Sequence, residues 1–336
     1  MKFDYVIGNP PYQDEKDDNS RKPPVYHLFM DEAFKVGRKI ELITPGRFLF
    51  NAGQTPKQWN NKMLTDKHFK VLYYENDGRR VFPNNEIKGG IAISYRDIDS
   101  TFEAINVYTK YSELNSIKQK IDLSKGSLSN IMIGAVPYKF SNLMKTEHPE
   151  TLSLIDSSYD LRTNVLDNLI NIVFFQAPQK GYIKIFGQFH KKRDSLWIDN
   201  RYVEKAKNFK CYKVLISKAS GKGDFGETLA EPFVVRPEEG HTQSYISMGS
   251  FNSANEANNS MKYLKTKFAR ALLGILKVTQ DITPQKFKYV PLQDFSNSSD
   301  IDWSQSISDV DKQLYKKYGL SEEEINFIET HVKEME

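Results

Sequence analysis

The sequence predicts an α/β protein of about two domains, and three observations predict it. Over residues 1–110, strand-like runs alternate with helical spacing. From residue 126 the pattern changes to short β-like runs separated by basic, Gly-containing loops. The length, 336 residues, accommodates two cores at roughly 150 residues per domain.

Residues 3–8, Phe-Asp-Tyr-Val-Ile-Gly, read as a short buried strand that runs into Asn9-Pro10-Pro11-Tyr12. Residues 13–24 are polar and Pro-containing, which predicts a loop. Tyr26, Phe29, Met30, Ala33 and Phe34 recur at helical spacing over 26–36, and Gly37 fits the position just past a helix end. Ile40–Pro45, Lys70–Glu75 and Gly90–Tyr95 read as strands. A polar helix over about 111–122 links to the next domain, giving expected boundaries of 1–110, a linker at 111–125, 126–300 and 301–336. In the second domain, strands are expected at Tyr182–Phe186, Tyr212–Ser217, Phe233–Val235 and Ser244–Met248. Ser253 with Glu256 three residues later has the form of a capping box. It opens one long helix with the face Ala257, Met261, Leu264, Phe268, Leu272 and Ile275. Leu314–Tyr318 closes a helix at Gly319, and Ser321 with Glu324 opens the last, whose Ile325 and Ile328 face inward.

The charge is segregated. The whole chain carries only +4, yet residues 180–222 hold 12 Lys/Arg against 3 Asp/Glu, and residues 262–288 hold 7 against 1. Residues 294–336 reverse the sign, with 11 Asp/Glu against 4 Lys. A basic second domain suits contact with the phosphates of double-stranded DNA, unless the run is simply a solvated face. The lone cysteine, Cys211, excludes an internal disulfide and a multi-Cys zinc site, and the six histidines are scattered without ligand spacing. No apolar run of 18 residues occurs, and Asp4 and Pro10–Pro11 stand where an export signal needs an apolar run. The expectation is a cytoplasmic protein with no membrane and no metal.

Asn9-Pro10-Pro11-Tyr12 is the segment that carries chemistry. A match to [DN]-P-P-aromatic arises somewhere in a chain of this length on the order of 1% of the time, so the strand leading into it marks a site rather than a coincidence. The bland alternative is a strand-ending proline turn with an exposed Tyr. An amino group on a heteroaromatic ring is a poor nucleophile, because its lone pair is delocalised. Two acceptors aimed at its hydrogens draw it toward sp3 geometry and localise that pair. The Asn9 side-chain oxygen is one acceptor, and the Pro10 carbonyl, aimed by the rigid turn through Pro11, is the other. Tyr12 offers a face on which a planar substrate stacks. Positioning and preorganised dipoles carry this chemistry, with no base of shifted pKa required.

At these residues the chain resembles a known family. FDYVIGNPPYQ resembles motif IV of amino-methyltransferases that use S-adenosylmethionine, in particular the adenine-specific DNA methyltransferases of bacterial Type II restriction–modification systems. IELITPGRFLFNAGQ and NDGRRVFPNNEIKGGIAISYRD resemble the next strands of that family. The segment from TQSYISMGSFNSANE to KYVPLQDF resembles the end of its target-recognition domain, and DKQLYKKYGLSEEEINFIE its C-terminal helices. The resemblance implies a partial Rossmann-like methyltransferase sheet, a mixed α+β DNA target-recognition domain and C-terminal helices. It implies that Asn9 and Pro10 hold the 6-amino group of an adenine flipped out of duplex DNA, that Tyr12 stacks on its ring, and that Pro11 and Phe82 contact it, although Phe82 reads more readily as a core residue.

One departure matters. In that family the S-adenosylmethionine site lies upstream of motif IV, which here begins at residue 3, so the donor-binding half is expected on another part of the same chain or on another chain, alone or with a nuclease portion. Gly221-Lys222-Gly223-Asp224-Phe225-Gly226 matches G-x-G-x-x-G, but Glu231-Pro232 follows where a helix is needed, so it reads as a basic loop. Lys191, Lys192, Arg193, Arg201 and Lys222 are the candidate phosphate contacts, and Ser217–Gly226 and Thr242–Ser250 the candidate base-reading loops. Two other readings stay open: a DNA-recognition module whose motif does no chemistry, and an enzyme that methylates a glutamine amide or a ribosomal guanine.

Overall fold

The structure, a computed structural model, describes residues 3–13, 23–84, 87, 89–102, 104–109 and 111–335, and of residues 112 and 119 the backbone only. The chain divides into two units, Met1–Tyr111 and Ser112–Glu336.

The first unit runs β1 (Phe3–Gly8), α1 (Tyr26–Val36), β2 (Gly37–Pro45), α2 (Lys57–Thr65), β3 (Phe69–Glu75) and β4 (Ile91–Asp97). The sheet order is β1-β2-β4-β3. β1 and β2 are parallel, and β4 runs antiparallel to both β2 and β3. β1, β2 and β3 therefore point the same way, and the segments that follow all three emerge at one end of the sheet. Tyr26 and Met30 of α1 pack with Phe48, Trp59, Met63 and Phe69 in the core beneath it. α2 is not evident in the sequence, because only Trp59, Met63 and Leu64 of its nine residues are apolar.

Two local expectations differ. β1 is not buried. It is an edge strand, paired with β2 on one side, and Phe3, Tyr5 and Ile7 are 56%, 66% and 77% exposed. Its apolar sequence describes a surface without a partner among the described residues. Gly37 does not cap α1 in the left-handed region. It is extended (φ −100°, ψ 150°) and begins β2. A Cβ there would lie 2.7 Å from Ile40 Cγ1 and 2.8 Å from Val6 Cγ2, so close packing on β1 is what requires glycine.

The second unit opens with α3 (Ser112–Lys120), within the stretch expected as a linker; it packs against the last helices of the chain. Then come β5 (Met132–Ile133), β6 (Lys139–Phe140), α4 (Asn142–Glu147), α5 (Val165–Asn168), β7 (Tyr182–Phe189), β8 (Lys192–Asp199), β9 (Val203–Glu204), β10 (Tyr212–Ser217), β11 (Phe233–Val235), β12 (Glu239–His241) and β13 (Tyr245–Phe251). The helices α6 (Ala254–Lys265), α7 (Lys267–Gly274), α8 (Ile307–Lys317) and α9 (Glu322–His331) follow. Sheets of order β11-β10-β13-β5 and β12-β7-β8 carry this unit, with the short pair β6-β9. Ile183, Ile185, Leu196 and Ile198 of the β7–β8 hairpin sit in a core with Tyr138, Phe140, Leu166 and Phe174.

The capping boxes at Ser253/Glu256 and Ser321/Glu324 form as the sequence predicts. The single long helix over 253–275 does not. It breaks at Thr266, which is extended (φ −59°, ψ 147°) and whose hydroxyl accepts from Ala269 N–H to start α7 afresh. Asp311 of α8 takes the N–H groups of Lys267 and Phe268 at 2.9 and 2.8 Å, a long-range cap that no local pattern announces. Thr242–Ser250 is likewise no exposed loop, because Tyr245–Gly249 lie buried in β13. β8 is absent from the sequence expectations because its first half, Lys192-Arg193-Asp194, is charged. Among the described residues no helix is long and apolar enough to cross a membrane.

Candidate functional site

The site in the first unit is built where the three like-directed strands end. β1 stops at Gly8, paired with Leu42, and Asn9 and Pro10 leave the sheet directly. Pro45 ends β2 and passes into the turn Gly46–Phe50, anchored by Gly46 N–H to the Gly90 carbonyl at 2.9 Å. The segment after β3 contributes Phe82 and Ile87. These segments enclose a cavity of about 420 Å3 lined by Asn9, Tyr12, Gln13, Tyr26, Arg47 and Phe82, among others.

The placement of Tyr12 depends on a stem. Its carbonyl accepts from Val25 N–H at 3.2 Å, and Gln13 forms an antiparallel bridge with Pro24. The Tyr12 ring meets Phe82 edge-on, with centroids 6.4 Å apart and planes at 69°. The Tyr12 hydroxyl is buried without a partner among the described residues, and burial raises its pKa to about 12. Tyr12 is therefore neutral, with its ring facing the cavity. Tyr26, behind it, is also pushed up to about 12 by burial, opposed by its hydrogen bond to Thr55 and the charge of Arg47. Thr55 in turn donates to Asn60 Oδ1 at 2.7 Å.

Asn9, Tyr12 and Phe82 thus share one cavity, with Pro10 and Pro11 forming the turn between them. The sequence placed Tyr26 on a helix face and Arg47 in a turn, and marked neither as lining the cavity. The signal for Arg47 lay in the Pro-Gly-Arg-Phe turn after β2. Gly53 and Gly89, both left-handed (φ 92° and 85°), make room for its stem: a Cβ on Gly53 would lie 3.2 Å from Arg47 Cδ, and one on Gly89 would overlap Cγ.

The five basic candidates of the second unit separate. Lys191 and Lys192 are exposed at the end of the β7–β8 hairpin. Arg193 folds back: its guanidinium donates to the Glu231 carbonyl at 3.0 Å and to Ser217 Oγ at 2.9 Å. Arg201 is held by the Asp199 carboxylate, with contacts from 2.8 to 3.2 Å. Lys222 is exposed. Lys213, counted in the same charge run, is fully buried; its ammonium reaches the Phe209, Cys211 and Arg236 carbonyls, and burial lowers its pKa to about 8.

The Gly221–Gly226 loop is not shaped for a nucleotide. Glu227 takes the N–H groups of Lys222 and Gly223 at 2.8 and 2.9 Å and pairs with buried Lys277. A Cβ at Gly226 would overlap the His331 carbonyl, and no helix follows the loop. This loop therefore does not fit a methyl donor of the S-adenosylmethionine kind.

Comparison with known proteins agrees with the motif. Residues 1–82 match the sequence model of the Eco57I restriction-modification methylase family. An uncharacterized adenine-specific methylase of Mycoplasma pneumoniae is 29% identical over 132 residues, 38% of this chain and 31% of that protein. The chain spans about a third of the length of that curated relative. Among solved structures, the Type IIL restriction-modification enzyme MmeI in complex with DNA aligns with TM-score 0.42 at 10% identity, covering 98% of this chain and 56% of that one. The ATP-dependent Type ISP enzyme LlaBIII bound to DNA aligns with TM-score 0.29 at 11% identity, over 83% and 28%. The family and the curated relative bear out the resemblance to adenine methylases of restriction–modification systems.

Proposed function

We propose that this chain carries the adenine-acceptor and DNA-recognition parts of a site-specific DNA methyltransferase (adenine-specific) of a restriction–modification system. The observation that carries the reading is Asn9-Pro10-Pro11-Tyr12 at the end of parallel strand β1, opening into a cavity shared with Phe82 and Arg47. A flipped adenine enters this cavity. Asn9 Oδ1 and the Pro10 carbonyl accept the two hydrogens of its 6-amino group and localise the nitrogen lone pair. The Tyr12 ring stacks on the base and Phe82 closes its edge. The basic surface of the second unit holds double-stranded DNA.

S-adenosylmethionine supplies the methyl group when bound, and in this reading its site belongs to a further portion on the same or another chain. The open edge of β1 supports that division. Among the described residues its outer backbone has no strand partner, and with Phe3, Tyr5 and Ile7 exposed beside it this edge is a surface on which a sheet continues.

The test is methyl transfer from labelled S-adenosylmethionine to duplex DNA, with the chain alone and joined to its donor-binding portion. N6-methyladenine is expected only in the second case. The chain alone is expected to bind the donor weakly or not at all, and micromolar binding in a calorimetric titration would overturn the division. Methylation of glutamine or of guanine, rather than adenine, would overturn the substrate.

A further inference from the structure

We infer that the tip of the β7–β8 hairpin enters a groove of duplex DNA, with Gln188 placed to read a base edge. The inference rests on the DNA-binding reading above and assigns it a structural element.

β7 and β8 pair without irregularity from Tyr182↔Asp199 to Phe189↔Lys192, so only His190 and Lys191 form the turn. Both are left-handed, with φ 50° and 62°. A two-residue turn of this hand suits the twist of a hairpin, and Asn-Gly is the sequence that adopts it most easily. Histidine and lysine adopt it against the crowding of their Cβ atoms. Both side chains are exposed, so the core does not demand them. His190 has local support, with its N–H on Asp167 Oδ1 at 2.9 Å, its ring Nδ1 3.2 Å from the same oxygen and its ring 3.9 Å from that of Phe189. For the Lys191 ammonium the described residues supply no hydrogen bond or ion pair. Asp167 accounts for His190 within the unit, so it is Lys191, a bulky cation kept in unfavourable backbone where glycine fits, that points outward to a ligand.

The hairpin is also held firmly enough to present that tip. One face is buried in the core through Ile183, Ile185, Leu196 and Ile198. On the other face Arg193 ties β8 to Ser217 and the Glu231 carbonyl. Lys184 lies 5.2 Å over the Trp197 ring nearer the base. Gln188, opposite Arg193 in register, is exposed on this face one residue from Phe189 and the turn. A two-stranded ribbon fits the major groove, about 12 Å wide, and a glutamine amide pairs with the N6 and N7 positions of adenine. Lys191 and Lys192 flank it as phosphate partners.

The test uses the full chain, binding duplex DNA in fluorescence anisotropy at several salt concentrations. Replacing the turn by His190→Asn with Lys191→Gly keeps its geometry and improves its backbone chemistry. The expected result is a raised Tm together with roughly tenfold weaker duplex binding and a salt slope shallower by about one unit, because one phosphate is no longer neutralised. Gln188→Ala is expected to change the bases enriched from a pool of randomised duplexes. A turn variant with raised Tm but unchanged affinity and slope overturns the hairpin while leaving DNA binding by the chain intact. An equal loss on single-stranded DNA overturns groove entry. A wild-type chain that binds no duplex overturns the hairpin and the DNA-binding reading together.

Discussion

In the first unit, residues far apart in sequence converge on one cavity; in the second, residues adjacent in sequence diverge. Asn9, Tyr12, Tyr26, Arg47 and Phe82 meet because β1, β2 and β3 point the same way and their following segments share one end of the sheet. Lys191, Lys192 and Arg193 part company because strand residues alternate in direction and Arg193 finds acceptors inside its own unit. A rigid proline turn brings sequence neighbours to one cavity. A run of charge acquires its meaning only from what each side chain touches.

The largest expected effect tests the convergent site. In the proposed methyltransferase, assayed with its methyl donor bound, Asn9→Ala should lower single-turnover methylation about 100- to 1,000-fold, the usual loss for one preorganised dipole, with DNA affinity little changed. Tyr12→Ala should weaken binding of the extrahelical base by about 1–3 kcal/mol of stacking. Tyr12→Phe, which removes only a hydroxyl buried without a partner among the described residues, should keep both. Near-normal turnover of Asn9→Ala would break the acceptor role.

The divergent run predicts a smaller, split effect. Changing Lys191 and Lys192 together to Ala should make the salt slope of duplex binding shallower by up to about two units without shifting the denaturation midpoint. Arg193→Ala should do the reverse. It should lose about 1 kcal/mol of stability, from two forsaken hydrogen bonds, and leave the slope alone. If Arg193→Ala flattened the slope as the lysines do, the three residues would act as one patch and the contrast would fail.

The smallest effect is a pH dependence confined to the second unit. His241 is fully buried, its Nδ1 is 2.9 Å from the Thr242 carbonyl, and its ring lies edge-on to Tyr138 at 5.1 Å. Burial is the main cause that lowers its pKa to about 4, with the Lys213 charge adding to it. Between about pH 6.5 and 4 the unfolded chain binds a proton that the folded chain refuses. The stability His241 contributes is therefore present above pH 6.5 and lost as pH falls toward 4. Thermal unfolding from pH 7 to 4.5 should show a falling Tm, and His241→Asn should flatten that fall. An equal slope in the variant would assign the acid sensitivity elsewhere.

The amino-acid sequence by itself determined the parts that are local. Strand β1 runs into Asn9-Pro10-Pro11-Tyr12 because β-forming residues meet prolines that cannot continue a ladder. Ser253/Glu256 and Ser321/Glu324 start helices because a cap needs only three residues of reach. The family resemblance, too, was legible from contiguous blocks. Tertiary structure alone decided the rest. It made β1 an exposed edge, since an apolar run reads the same whether a neighbour is present or not. It broke the helix at Thr266, since the Asp311 carboxylate that caps α7 lies more than 40 residues downstream. It tied Arg193 to Ser217 and the Glu231 carbonyl, buried Lys213 and placed Arg47 in the cavity over Gly53 and Gly89. Charge and hydropathy report what a side chain is, and long-range packing settles what it faces.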